Sequence, residues 1–308
     1  MQVTADDIAN AARAIASHVQ RTPTIHAPRL GDALGCRLFL KLENLQYTGS
    51  FKDRGSCLKL QRLAQQKEPP SGVVAASAGN HAQGVAFHAR RLGMQAIIVM
   101  PQTTPFSKVE RTEALGAEVL LRGESVAEST TFALEVARER NFAFVHPYDD
   151  AVVVAGQGTV ALEMLEDRPN LDTIVVPVGG GGLCAGIAVW AKAKKPNIRI
   201  FGVQTELCPS MHAKLRGEPL RWVKTAHAYP SRAALMVHKR LLGEILVDLG
   251  YLTRDQVRRA VQSKPPGLPL GEYLVRQGRL TDQQRWDALA LQAGGDALHA
   301  TLESEMAS

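Results

Sequence analysis

What this 308-residue sequence lacks narrows its class first. No run of eighteen apolar residues occurs, so no membrane-spanning helix and no membrane insertion are expected. The opening stretch MQVTADDIANAARAIASHVQ places acids where a secretory leader needs basic residues ahead of an apolar run, so a cytoplasmic location is expected. Cysteine is scarce. Cys36, Cys57, Cys184 and Cys208 stand apart without C-x-x-C spacing, which argues against a metal site and a disulfide scaffold and points to buried thiols. With 45% hydrophobic and 21% charged residues, neither disorder nor a fibrous repeat is indicated. The length suggests two domains or one large α/β unit.

The formal charge of +6 is unevenly placed. Residues 221–292 hold twelve Lys or Arg against six Asp or Glu, while the rest of the chain balances. Such a surplus could attract an anionic ligand, but a solvated helix surface accounts for it as well. No nucleic-acid partner is expected.

Between residues 37 and 204, the runs RLFLKL, VVAAS, AIIVMP, AEVLL, FAFVHP, TIVVPV and IRIFGVQ alternate with amphipathic stretches. That rhythm predicts parallel sheets with crossover helices on both faces, since the strands are apolar almost throughout. Ligands should then lie at strand C-terminal ends. After Trp222 the strand runs stop. A linker is expected at 223–238, a helical module at 239–293 and a flexible tail at 294–308. Within the module LGEILVDLGYLTRDQ, from Leu242, recurs as LGEYLVRQGRLTDQQ, from Leu270, with glycines 243, 250, 271 and 278 in register. Each unit reads as a helix, a glycine stop, a threonine cap (Thr253, Thr281) and a second helix. Two packed helical hairpins are the expected result.

Three segments carry chemistry. Thr48-Gly49-Ser50-Phe51-Lys52-Asp53-Arg54-Gly55 places a lysine at a strand-to-helix corner. Most lysines are solvated, but glycines that permit close backbone approach and the apolar Phe51 suit a desolvated amine ready for imine chemistry. Ser77-Ala78-Gly79-Asn80-His81-Ala82-Gln83-Gly84 opens a helix, where free amides suit a carboxylate and Asn80 could meet an aromatic hydroxyl. An ordinary helix cap accounts for that segment equally well. Gly179-Gly180-Gly181-Gly182-Leu183 follows a strand and opens another helix. Four consecutive glycines are entropically costly, and a plain turn needs only one, so a phosphate cradle is the stronger inference.

In this order the segments resemble the fold-type II pyridoxal phosphate enzymes, whose fold is that of the tryptophan synthase β-subunit, and specifically the threonine dehydratase and serine racemase family. The likeness spans about residues 5–220 and includes Thr22-Pro23, AFHARRLGMQAIIVMP, HPYDD at 146–150 and GQGTVALEML at 156–165. It implies a catalytic region over 1–222, with a smaller subdomain at about 43–147 inserted in a larger one. It also implies pyridoxal 5′-phosphate held covalently by Lys52, the catalytic residue, beside Phe51. Asn80 would meet the ring hydroxyl, and Gly179, Gly180, Gly181, Gly182 and Leu183 would hold the phosphate. Ser77, Gly79, Asn80 and His81 would bind an amino-acid substrate. Racemases of the family carry a serine where this chain has Ala78, so the resemblance implies α,β-elimination of L-threonine or L-serine to a 2-oxo acid and ammonia, by a homo-oligomer.

Beyond IRIFGVQTE, the further glycine-rich strand ends of the family are not recognisable, and a shortened sheet should expose an edge and apolar faces. The repeat at 240–292 instead resembles the tandem N-terminal domain of type II secretion and pilus ATPases, whose units can bind cyclic di-GMP. A protein or cyclic dinucleotide is the partner this implies. The arginine expected before each Leu-Gly is here Leu241 and Pro269, and the closing glutamine is Lys264 in the first unit and Gln292 in the second. Two alternatives stand beside the lyase: a catalytically impaired scaffold for the C-terminal module, and a nicotinamide-dependent dehydrogenase, because Gly180, Gly182 and Ala185 satisfy G-x-G-x-x-A with Glu206 after the next strand.

Overall fold

The computed structural model describes residues 3–205, 209–217, 242, 246–247, 249–265, 268–285 and 288. The elements run α1 (Ala5–Ile15), β1 (Thr24–His26), α2 (Pro28–Leu34), β2 (Phe39–Lys41), a 3-10 turn (Glu43–Leu45), α3 (Lys52–Ala64), β3 (Gly72–Ala76), α4 (Asn80–Arg91) and β4 (Gln95–Met100). They continue as α5 (Phe106–Ala114), β5 (Glu118–Leu121), α6 (Val126–Arg140), β6 (Ala143–Phe144), α7 (Ala151–Asp167), β7 (Thr173–Pro177), α8 (Gly182–Lys194), β8 (Arg199–Val203) and α9 (Ser210–Leu215). Two further helices, α10 (Arg254–Ser263) and α11 (Leu270–Arg276), follow. The chain divides into two units, residues 1–219 without 206–208, and the remainder.

In the first unit the apolar runs form a four-stranded parallel sheet of order β5-β4-β3-β6. Val73, Ala75, Ile98 and Met100 pack with Leu60, Val85 and Ala89 of α3 and α4, whereas Val74, Ala76, Ile97 and Val99 pack with Ala133 and Ala137 of α6. Residues adjacent in sequence thus enter opposite cores, which is why every buried position of β3 and β4 is apolar and only Gln95, at the exposed start of β4, is polar.

One expectation is corrected, and the apolar face expected of a shortened sheet is found exposed. RLFLKL does not join a parallel sheet. Its central residues form β2, which pairs antiparallel with β1, Thr24 opposite Lys41. Lys41 is drawn into this position by Glu163, 2.5 Å from its ammonium. The parallel pair β7-β8 is covered on one face only: Ile174 and Val176 enter the core with Ile187 and Trp190, but Val175 is 62% exposed, Phe201 52% and Val203 54%. Among the described residues no third strand joins that pair. The thiols follow expectation in part. Cys57 is buried, which pushes it up to about 12, Cys184 is half-buried, and Cys36 is exposed because it follows the left-handed Gly35 in the surface turn after α2. Cys208 lies outside the described residues.

In the second unit, Thr253, the cap of α10, bonds reciprocally with Gln256, and Thr281 does so with Gln284, whereas α11 follows Pro269 without a side-chain cap. Gly250 and Gly278 have φ of +69° and +65°, the stops that the repeat requires. Burial follows the repeat as well, pairing Leu246 with Leu274, Leu252 with Leu280 and Ala260 with Ala288 in one cluster. Linker 223–238, tail 294–308 and positions Glu206, Leu241, Gly243 and Gln292 lie outside the described residues. Among the described residues no helix is long and apolar enough to cross a membrane, and no group of three His, Cys, Asp or Glu could hold a metal.

Candidate active site

Lys52 is the first residue of α3 and follows a loop tied down from below. The buried Asp53 carboxylate accepts from the Thr48 amide (2.9 Å) and hydroxyl (2.5 Å), so the chain from 48 to 53 is closed into a turn with Gly49 at φ +77°. The Lys52 ammonium lies 5.3 Å from the Phe51 ring centroid and donates to the Pro147 carbonyl oxygen at 2.6 Å. Burial lowers it to about 8. That makes it a far better nucleophile at neutral pH than an ordinary lysine.

The glycine loop enters α8 with Gly181 at φ +90°. None of the amides from Gly179 to Leu183 donates to a described protein acceptor. They collect at a helix N-terminus, where the axial dipole adds positive potential. A Cβ on Gly179 would meet open space, while one on Gly180 would lie 2.2 Å from the Tyr148 ring and one on Gly182 would lie 2.7 Å from the Tyr148 carbonyl oxygen. Consecutive residues of the 146–150 turn therefore touch both halves of the site, Pro147 the lysine and Tyr148 the glycine loop. His146 shapes that turn by accepting from the amides of Tyr148 (3.3 Å) and Asp149 (2.8 Å) through Nδ1.

The third segment is divided by the structure. The Ser77 amide belongs to the sheet, bonded to Val99, and the Gly79 amide turns back onto the Ser77 hydroxyl at 3.2 Å. The amides of Ala78, Asn80 and His81 have no described acceptor, and the Asn80 side chain is exposed. The His81 ring points inward instead: buried, it is lowered to about 3, stays neutral, and donates from Nε2 to the Val145 carbonyl oxygen at 3.0 Å. Only the backbone of His81 is presented outward.

Sequence reasoning assigned no role to Arg54, which is fully buried. Its Nε and Nη2 donate to Glu43, and its Nη1 and Nη2 to Glu163, all between 2.7 and 2.8 Å, while Nη1 also reaches Thr159 at 3.1 Å. All five N–H groups are thereby engaged, and Lys41 balances the second carboxylate. Arg54 is two residues from Lys52, so this network fixes the start of α3. A charged residue inside a segment otherwise shaped for close packing was the signal available.

An amine of lowered basicity and a set of unengaged amides at a helix start, joined by one turn, suit a carbonyl compound that carries a phosphate. Those are the features that the site of an imine-forming α/β enzyme requires. A model of the pyridoxal-phosphate dependent enzyme family matches residues 15–263, and the chain belongs to that family. It is 47% identical over 214 residues to an L-threonine ammonia-lyase of Thermotoga maritima, covering 70% of this chain and 53% of that one. A solved threonine deaminase from T.th. is similar at 41% identity and TM-score 0.65, covering 71% of each chain, and a solved serine racemase of Dictyostelium discoideum at 34% and 0.66, covering 70% of each. The chain spans between 53% and 59% of the curated relatives it matches. The residues present fit the family's cofactor: Lys52 would offer the amine, and the 179–183 amides would offer unengaged donors.

Proposed function

We propose that this chain holds pyridoxal 5′-phosphate on Lys52 and eliminates the hydroxyl and amino groups of L-threonine or L-serine, releasing a 2-oxo acid and ammonia. The observation that carries the reading is the lysine itself: the half-buried first residue of α3, lowered to about 8 and poised on the Pro147 carbonyl. The amides of the 179–183 loop hold the phosphate, and the Asn80 side chain meets the ring hydroxyl. The amides of Ala78, Asn80 and His81 hold the substrate carboxylate, with the Ser77 hydroxyl beside them. When bound, the cofactor supplies an electron sink for the bond that loses its proton. Lys52 takes that α-proton. Ala78 puts no hydroxyl on the opposite side to return it, which favours elimination over racemisation. The catalytic region is read as 1–222, with the 43–147 subdomain inserted, in a cytoplasmic homo-oligomer.

The test is to add the cofactor and L-threonine to the full chain and to Lys52→Ala. Equal yields of 2-oxo acid and ammonia from the parent alone support the reading. D-amino acid without 2-oxo acid overturns it in favour of a racemase.

A second reading rests on the uncovered β7-β8 face. If that face leaves the site incomplete, the first unit is a silent scaffold and the module at 239–293, read as a cyclic-dinucleotide or protein-binding repeat, is the working part. Binding of cyclic di-GMP without turnover would favour it.

A further inference from the structure

The GQGTVALEML segment has no part in the chemistry above, yet it lies on α7, which packs on both α3 and α8. All three helices begin at the site: α3 with Lys52, α7 with its cap Asp150, α8 with Gly182. Glycines strip both crossings of side chains. On the α3 side, a Cβ on Gly156 would lie 2.7 Å from the Gly55 Cα and 2.8 Å from the Arg54 carbonyl oxygen. On the α8 side, a Cβ on Gly186 would lie 2.5 Å from the Val154 carbonyl oxygen and 2.6 Å from the Gly158 nitrogen. Every obstructing atom is backbone, so relief requires moving a helix rather than turning a side chain. Polar contacts then fix the rotation of α3 on α7: Arg54 to Thr159 and Glu163, and Lys59 to Asp150 at 2.6 Å.

We infer that α7 is the spacer that sets the separation of Lys52 from the glycine loop, and that Gly156 and Gly186 are positioning residues acting on opposite ends of the site. This rests on the cofactor reading above. A methyl group at 156 displaces α3 and so moves Lys52, whereas one at 186 displaces α8 and so moves the loop amides.

The full chain is compared with Gly156→Ala and Gly186→Ala by two readouts, the pH midpoint of Lys52 labelling by an amine reagent without cofactor, and the affinity for inorganic phosphate. Gly156→Ala should shift the labelling midpoint and slow covalent attachment of pyridoxal 5′-phosphate by about tenfold or more, with phosphate affinity unchanged. Gly186→Ala should weaken phosphate binding and leave the labelling midpoint in place. Joint movement of both readouts in either variant, or movement of neither in folded protein, overturns the inference. Should Gly156→Ala fail to fold, Gly55→Ala tests the same crossing, because its Cβ meets side-chain atoms only, Gln157 Nε2 at 2.5 Å and Val153 Cγ1 at 2.9 Å. It should shift the midpoint, and adding Gln157→Ala should restore it; no shift in folded Gly55→Ala overturns the inference. If the parent attaches no cofactor, the function proposal fails, while the labelling midpoint still reports on the spacing.

Discussion

The ammonium of Lys52 donates to the carbonyl oxygen of Pro147, 95 residues further along the chain, at 2.6 Å. A backbone acceptor carries no charge, so it orients the amine while offsetting less of the basicity lost to burial than a carboxylate would.

Lys52 should therefore label with a midpoint near pH 8, against about 10.4 for solvated lysines. The lowered folded-state value also has a cost to stability: going down from about 10.5 to 8, the unfolded chain takes up the proton before the folded one does, and the fold weakens. Lys52→Met is expected to abolish cofactor attachment and to raise Tm at pH 7, read by calorimetry beside the parent.

Arg54→Ala leaves Glu43 and Glu163 buried with one cation fewer, and should cost about 3–5 kcal/mol in denaturant unfolding. Burial raises the Glu43 carboxyl, but the Arg54 bonds and charge outweigh it and hold the group below its ordinary value. That contribution is present above the unfolded value and lost as pH falls through the lower folded one. In Arg54→Ala the offset is gone, so acid unfolding should begin at higher pH.

Gly180→Ala places a methyl group against the Tyr148 ring and should weaken cofactor binding by about tenfold, measured by absorbance titration. Tyr148→Ala in the same chain should recover most of the loss. Failure of that rescue would show that the glycine is needed for backbone freedom alone.

Ala78→Ser adds a hydroxyl beside the substrate loop. Chiral chromatography of a serine reaction should then show D-serine, absent with the parent, at the expense of 2-oxo acid.

The sequence announced those parts of the molecule where composition is forced. Four glycines before a helix, a lysine between glycines, and strands apolar almost throughout are compatible with few local structures, and each such segment takes the local form expected of it. What stayed hidden depends on distant partners. Nothing local marks Pro147 as an acceptor, because every residue has a carbonyl. Arg54 and Glu163 are 109 positions apart, and the pairing shows only in three dimensions. RLFLKL has the composition of a buried parallel strand, but Lys41 is pulled toward Glu163 and the segment pairs antiparallel with β1. Helices cover both faces of β3 and β4, as expected, but only one face of β7 and β8, since coverage depends on what else is packed there rather than on the strand.

The paired glycine crossings of α7 also limit how this region can change length. One residue inserted between Gly156 and Gly158 would turn the following helix by about 100° and carry it about 1.5 Å along its axis. Gly158 would leave its seat against Gly186, and Thr159 and Glu163 would turn away from Arg54. Insertions and deletions should therefore be absent from α7 and collect in the exposed loops. Chain length in this helix is as constrained as the identity of the lysine.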